Sequence, residues 1–397
     1  MKPDNLIDQK PSVKNSGLVF LAGGSALNQR ASCFAKHGFS ATHLVTVFDD
    51  GGSTGLLREY LAEVFKDECI AVGDIRNRLM ALSCVSSEEA VCRYNLFAYR
   101  FAANKPNNLL WEKLSRVVRG KDGVIKHCNT KVIQSVSSPL SVLVELLGPS
   151  FNLRGASLGN LILYGRYLLD GGWTKTLDWA HEFVSACGQV LPITLESRHL
   201  AAILQNGDFI VGQEGITSEK NPLSSPINRV YLCHSYGASA IEATAKFLNQ
   251  SRQELFDARV IVYSWGSFYT SIISNLLVDG LSEILLTSNV PKVLLLNPAV
   301  DAETHGFSPI KFVREINNYT ERVGQNKYNP AITHIVVFKE PKDYSGTPLL
   351  YQPEDKDLLE AEGIEVIEIE SGTIPDAETV KSVGNILLNL AGSHSCL

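Results

Sequence analysis

Short apolar runs rich in branched residues recur at Gly17 to Gly23, Leu44 to Phe48, Val230 to His234, Arg259 to Ser264, Val293 to Asn297 and Ile332 to Phe338. Runs of this length, alternating with helical patterns, predict a mostly parallel α/β sheet with helices on both faces. Between Asp74 and Gln189 the apolar positions recur with helical spacing instead, at Leu79 to Ser83, Val91 to Phe101, Leu140 to Leu147 and Leu158 to Leu169. That stretch predicts an inserted helical layer, about residues 74–189. Residues Leu200 to Gly212 alternate around Asn206-Gly207, the dipeptide that favours a type I′ turn, and predict a small antiparallel hairpin element. A turn-rich stretch over Lys339 to Pro353 leads to a last strand (Ile364 to Ile369) and helix (Ala377 to Leu390). The expected organisation is a disordered or extended N-terminal segment over 1–16 and a single large α/β domain over 17–397, without sustained repeats.

Composition narrows the class. A chain of 397 residues with 45% hydrophobic composition can bury one large or two ordinary cores, and its formal net charge of −6 argues against sequence-independent nucleic-acid binding. The one basic stretch, Lys113 to Lys131 with Arg116, Arg119, Lys121 and Lys126, reads as a solvated helix face plus loop. Cys33, Cys69, Cys84, Cys92, Cys128, Cys187, Cys233 and Cys396 are scattered without a C-x-x-C pair, which fits reduced thiols in a cytoplasm. The amino terminus, Met1 to Ser16, lacks an apolar signal core, and no apolar run is long enough to span a bilayer. A cytoplasmic protein with no membrane or nucleic-acid partner is expected; a homodimer is compatible with the sequence.

Candidate chemistry falls at strand ends, where open sheets of this kind bind ligands. Asp49-Asp50-Gly51-Gly52-Ser53-Thr54-Gly55 lies between the Leu44 to Phe48 run and a helical pattern beginning near Leu56. Adjacent carboxylates repel a bare phosphate, so the turn suits a phosphorylated ligand mainly with a divalent cation between acid and phosphate. One aspartate can cap the helix, which leaves the other for a magnesium ion or a ligand hydroxyl, or the turn is simply a solvated acidic loop. Gly23-Gly24-Ser25-Ala26-Leu27-Asn28 links the first strand to its helix and lets backbone N–H groups and the Ser25 hydroxyl approach a phosphate. It is neither a G-x-G-x-x-G fingerprint nor a Walker loop, and a plain tight turn explains it equally.

Gly73-Asp74-Ile75-Arg76-Asn77 opens another helix, with Asp74 placed as its cap and Arg76 able to fork onto a carboxylate or phosphate. Gly159-Asn160 starts the Leu161 to Leu169 run, where the amide donates to a ligand or bonds the preceding loop. Gly266-Ser267-Phe268-Tyr269-Thr270-Ser271 leads from a strand into a helix carrying Asn275, so hydroxyls and helix N–H groups converge where an anion can dock. Capping hydroxyls at an ordinary helix start would look the same.

Three motifs are discounted. Gly51-Gly52-Ser53-Thr54-Gly55 and Gly155-Ala156-Ser157-Leu158-Gly159 spell a nucleophile elbow, yet aspartates directly before the first would oppose a developing oxyanion. His181-Glu182-Phe183-Val184-Ser185 stops one histidine short of a zinc-protease helix.

Taken in order, the Gly23-Gly24 loop, Val45-Thr46-Val47 with the acidic turn, Gly73 to Asn77, Leu158 to Leu161, Val190 to Thr194, and Gly266 to Ser271 with Asn275-Leu276-Leu277 resemble the CofD-like family. That family comprises the 2-phospho-L-lactate transferases of deazaflavin cofactor synthesis and bacterial relatives that bind UDP-sugars and are linked to gluconeogenic growth and cell shape. The resemblance runs from about Gly17 to Phe338. It implies a Rossmann-like core holding a nucleotide diphosphate-linked small molecule, with transfer of a phospholactyl-like group to a hydroxyl acceptor in the presence of Mg2+. Asp49, Asp50 and Arg76 would then be catalytic, with Asp49 and Asp50 the metal ligands. Gly23, Gly24, Ser25, Asn28, Gly51, Gly52, Ser53, Asp74, Asn77, Asn160, Gly266, Ser267, Tyr269, Thr270 and Ser271 would line the ligand. This chain departs from the bacterial relatives at Ala22, Ser25 and Ala26, where they usually show glycines and a threonine, and at Ser264-Trp265 in place of Gly-Pro. Trp265 either stacks on a base or sugar or fills the space of the proline ring. The alternative function is a non-catalytic UDP-sugar-binding regulator; a serine hydrolase acting through Ser53 or Ser157 is a remote third.

Overall fold

The structure is a computed structural model and describes residues 16–23, 27–218, 221–234, 240–321, 329–341, 347–372 and 376–393. The expectation for residues 1–16 therefore falls almost wholly outside the described residues.

β1 (Leu18–Ala22), α1 (Asn28–Lys36) and β2 (Ala41–Val45) form the first crossover unit, followed by α2 (Gly52–Phe65) and α3 (Gly73–Ala81). The chain then runs through α4 (Glu88–Ala98), α5 (Asn107–Val118), α6 (Thr130–Leu147), α7 (Leu158–Asp170) and α8 (Trp173–Val184), the helical layer that the apolar spacing predicts. It returns through β3 (Gln189–Pro192) to a unit of β4 (His199–Leu204), β5 (Phe209–Val211), α9 (Gln213–Ile216) and β6 (Ile227–Cys233). α10 (Asn249–Phe256) leads to β7 (Val260–Tyr263), and a wide-turned π-type segment (Phe268–Ile273) runs directly into α11 (Ser274–Leu276) and then α12 (Leu281–Thr287). β8 (Lys292–Leu295), α13 (Pro309–Glu321), β9 (His334–Pro341), α14 (Pro353–Ala361), β10 (Glu365–Gly372) and α15 (Ala377–Ser393) complete the fold.

Seven strands make a sheet in the order β10-β9-β8-β7-β1-β2-β3, and every neighbouring pair is parallel. β1, β2, β7 and β8 are buried along their whole length, as strands covered by helices on both faces must be. α15 covers one face at Gly384, where a Cβ would stand 2.8 Å from the Phe39 ring. From β1 the chain adds β2 and β3 on one side, then comes back to the other side of β1 with β7. The boundary between β1 and β7 is thus the topological switch point, where loops leaving the strand ends part and open a crevice.

Three expectations need correction. The Val230 to His234 run lies in β6, which pairs antiparallel with β4 in the separate three-stranded sheet, His199 opposite Cys233. An apolar run records burial and not direction, and here the β4–β5 hairpin offers the free edge. That hairpin forms at Asn206-Gly207, but only Gly207 has positive φ (89°), and its N–H donates to the Leu204 carbonyl. The turn is therefore of type I followed by a left-handed glycine, not type I′. Thirdly, Cys84 is disulfide-bonded to Cys187 and Cys92 to Cys128, with Cα–Cα distances of 6.3 and 5.8 Å, which overturns the reading of these four as reduced thiols. The pairs are 103 and 36 residues apart in sequence and meet only because the helical layer folds back on itself. Cys33 and Cys69 are free thiols, and Cys396 lies outside the described residues. Among the described residues, no helix is long and apolar enough to cross a membrane.

Candidate functional site

Gly23 follows β1 at the switch point and is packed directly on Ser271 of the segment after β7. A Cβ at Gly23 would stand 2.6 Å from both the Cβ and the Oγ of Ser271, so only glycine lets the two loops meet. The fully buried Arg78 of α3 donates from Nη2 to the Gly23 carbonyl at 3.1 Å, and Asn275 donates to the carbonyls of Ala22 (3.2 Å) and Ser271 (2.7 Å). Two candidate loops and the helix of Gly73 to Asn77 therefore converge at the crevice. Gly24 and Ser25 lie outside the described residues.

The acidic turn behaves differently from its sequence reading. α2 begins at Gly52, four residues before the expected start, with Gly51 as N-cap and no side-chain cap bond, so neither aspartate caps it. Asp49 Oδ1 instead accepts the Gly51 N–H at 2.9 Å, while Oδ2 lies 3.2 Å from where a Gly73 Cβ would be. Asp50 turns the other way, its Oδ1 accepting the Glu214 N–H of α9 at 2.9 Å. Burial, with the Asp50 and Glu214 charges added, pushes the Asp49 carboxyl upward against the Gly51 N–H bond and the Arg58 charge.

Asp74 is not a cap either. α3 starts at Gly73 with Val72 as N-cap and no side-chain cap bond, and Asp74 is buried in the first turn, one turn before Arg78. Arg76 donates to Asn160 Oδ1 at 3.0 Å, to Asn77 Oδ1 at 2.6 Å and to Ser157 Oγ. These are neutral oxygens, and Arg76 Nε is buried with no partner among the described residues. Burial, then the neighbouring Arg100 charge, brings the Arg76 guanidinium down to about 10, opposed by Asp74 and Asp49. Asn160 also donates to Thr54 Oγ1 at 3.4 Å, and Arg100 donates to Ser53 Oγ at 3.3 Å. Gly159 permits this packing, since a Cβ there would meet Arg76 Cδ at 2.7 Å. An arginine thus faces each serine of the two discounted G-x-S-x-G motifs.

The segment after β7 contributes less than expected. Its N–H groups at Tyr269 (2.7 Å) and Thr270 (3.1 Å) donate to the carboxylate of Glu303, which is 4% exposed and also accepts the Thr270 hydroxyl at 2.6 Å. The protein's own acid occupies the helix end that sequence reasoning offered to a phosphate. Tyr269 is buried and its hydroxyl donates to Glu315, while Gly266 is pinned by Asn297; Ser267 is half-buried and Ser271 faces Gly23. Trp265 is 1% exposed, lies under Arg30 and against Phe34, and donates to the Leu296 carbonyl, so it fills space and stacks on no ligand.

Asn28 and Asn77 line an open cleft of about 820 Å3 between α1, α3 and α4, with Ser32, Lys36, Met80 and Tyr94. Asn28 Oδ1 is buried without a partner among the described residues. Sequence reasoning missed Arg78, Arg58 and Glu303, and gave Thr54 and Ser157 no part in holding Arg76 and Asn160. Asp74 and Arg78 stand at i, i+4 on one helix face, a spacing that could have drawn attention to Arg78; nothing in the sequence singles out Glu303. The discounted His181 is structural, its Nε2 accepting the Val190 N–H and its Nδ1 bonding the Leu177 carbonyl. In the basic stretch, Lys113 and Arg116 pair with the buried Asp122.

An open parallel sheet with a glycine loop and the buried Arg78 at its switch point, and an acidic turn after the neighbouring strand β2, defines a Rossmann-like α/β protein. The chain belongs to the CofD family: the sequence model described as 2-phospho-L-lactate transferase CofD matches residues 18–371. It is 28% identical over 362 residues to the gluconeogenesis factor of Listeria monocytogenes, covering 89% of this chain and 86% of that protein. A putative gluconeogenesis factor of Thermoanaerobacterium thermosulfurigenes is 29% identical over 280 residues, covering 70% and 67%. The crystal structure of a UPF0052 family protein from Bacillus halodurans, 24% identical, superposes with a TM-score of 0.67 over 94% of this chain and 99% of that one, which supports the fold.

Proposed function

We propose that the protein binds a nucleotide diphosphate-linked ligand in the switch-point crevice and transfers its phosphorylated group to a hydroxyl acceptor. The observation that carries this reading is Arg76: a buried guanidinium among neutral oxygens, crowded by Arg100 and with Nε unpartnered among the described residues, favours an anion beside it. Its neighbours suit phosphate chemistry. Gly23 lets backbone approach closely, and Asn28 and Asn77 offer amides to the ligand's uncharged part in the adjoining cleft.

Phosphoryl-type transfer needs charge neutralisation and in-line placement more than a covalent nucleophile. Among the described residues no group of three or more acidic, histidine or cysteine side chains could cage a metal. Asp49 and Asp50 turn opposite ways, each with one oxygen bonded to backbone, so a single carboxylate, Asp50, would hold Mg2+, which ordinarily takes one or two carboxylates plus ligand phosphates and water. When bound there, Mg2+ would neutralise phosphate charge. Asp49, with its carboxyl raised by burial, is the residue suited to accept the acceptor's proton.

Relatives named gluconeogenesis factors leave room for a second reading, a non-catalytic regulatory protein, for which the family resemblance supplies a UDP-sugar as the ligand sensed and not turned over. The test is incubation with Mg2+, a nucleotide diphosphate-linked donor and candidate hydroxyl acceptors. Acceptor-dependent release of nucleoside monophosphate supports transfer; tight binding without release supports the sensor, and no binding of either ligand class sinks both.

A further inference from the structure

The two sulfurs of Cys84–Cys187 sit where the chain enters and leaves the helical layer. Cys84 follows α3, Cys187 precedes β3, and every residue of α4 to α8 lies between them. Backbone bonds close the same neck, Cys84 N–H to the Ser185 carbonyl at 3.1 Å and Cys187 N–H to the Leu82 carbonyl at 2.7 Å. Both cysteines are half-buried, and Cys84 lines the 820 Å3 cleft together with Asn77 and Ser83. The other disulfide differs in that Cys128 is buried in the apolar cluster.

We infer that Cys84–Cys187 is a thiol–disulfide exchange site, open to a dithiol reductant from the cleft, whose state sets how firmly α3 is held against the helical layer. α3 carries Arg76, bonded to Asn160 of the helical layer, and Arg78, bonded to the Gly23 carbonyl beside β1, and its carboxyl end is tethered by this bond. A reductant thiolate attacks Sγ of Cys84, the cysteine of the pair that lines the cleft, forming a mixed disulfide while Cys187 leaves as thiolate and takes up a proton. The reductant's second thiol then attacks its own sulfur in that mixed disulfide. Cys84 leaves as thiolate and is protonated, so two electrons and two protons pass to the protein and the reductant departs as a cyclic disulfide. Without the covalent tie the neck is held only by its backbone bonds, and openings of α3 that the bond suppresses become accessible.

The test uses the full chain, equilibrated natively with graded dithiothreitol in reduced and oxidised forms, then alkylated and mapped by peptide mass. Cys84 and Cys187 should become labelled together, and at a lower reduced fraction than Cys92 and Cys128. Hydrogen exchange across residues 77–84 should accelerate threefold or more on reduction, with the amides of β1 and β7 unchanged. Resistance of the bond to excess dithiothreitol in the native state, failure of reduced protein to re-form it with oxidised dithiothreitol, or acceleration below threefold overturns the inference. A Cys84→Ser, Cys187→Ser double variant should exchange at the reduced rate under oxidising conditions, although the wild-type titration alone decides the matter. Neither readout uses a nucleotide, so the outcome is independent of the ligand reading above.

Discussion

Arg58 donates to the carbonyl oxygen of Asp49 at 3.1 Å from a side chain only 3% exposed. The same guanidinium donates to the carbonyls of Cys69 (3.1 Å) and Arg198 (2.7 Å) and to the Ser197 hydroxyl (3.2 Å). A residue on α2 thus holds the acidic turn, the entry to α3 and the chain after β3 in one arrangement. Replacing it by methionine strands several buried carbonyls, each a lost charge-assisted bond. Arg58→Met should lower unfolding free energy by about 3 kcal/mol in urea titration; an unchanged midpoint would show that water satisfies those oxygens.

Asp50 supplies one oxygen to α9 and is the carboxylate proposed to hold Mg2+. Asp50→Asn keeps the backbone bond and removes the charge. Calorimetric titration with GDP should show affinity in the presence of Mg2+ weakened by about tenfold, roughly 1.4 kcal/mol, and little change in its absence. A wild-type response to Mg2+ in the variant removes Asp50 from the metal site.

Contact between Gly23 and Ser271 leaves no room for a methyl group. Gly23→Ala should destabilise by about 1 to 3 kcal/mol through overpacking and weaken nucleotide binding along with it. Ser271→Gly in the same chain removes the nearest side-chain atoms and should recover part of both losses. Equal effects in single and double variants would mean that the loops do not meet as described.

Glu303 gives a pH signature. Burial, then the Asp301 charge, pushes its carboxyl from an ordinary value of 4.5 up to about 8, against the bonds from Thr270 and Tyr269. Because the folded value is the higher one, the folded state holds the proton more tightly. Its contribution to stability is complete below pH 4.5 and declines as pH rises towards 8. Glu303→Gln does not titrate, so its stability relative to wild type should rise between pH 5 and 8, by an amount on the order of 3 kcal/mol. A constant difference across that range would show that Glu303 is ionised throughout.

Much of the fold was legible because burial leaves a periodic trace. β1, β7, β8, β9 and β10 fall within a few residues of the apolar runs, and the helical layer follows its 3.6-residue spacing. β3, of four residues, is too short to signal itself, and β2 ends at Val45, so that the buried Val47 and Phe48 belong to the loop that carries Asp49. Local chemistry misled at helix starts: aspartates near α2 and α3 looked like caps, yet glycine and valine occupy those positions.

Residue order by itself determined which segments are buried, which turns must be glycine, and the family to which the chain belongs. Only tertiary packing decided that Glu303 plugs the helix after β7, that Arg76 faces neutral amides and a hydroxyl, and that Cys84 finds Cys187. Burial of an apolar face repeats every two or three to four residues and so is written locally. A hydrogen bond or a disulfide between residues 34 or 103 positions apart depends on the path of the intervening chain, which no local pattern records.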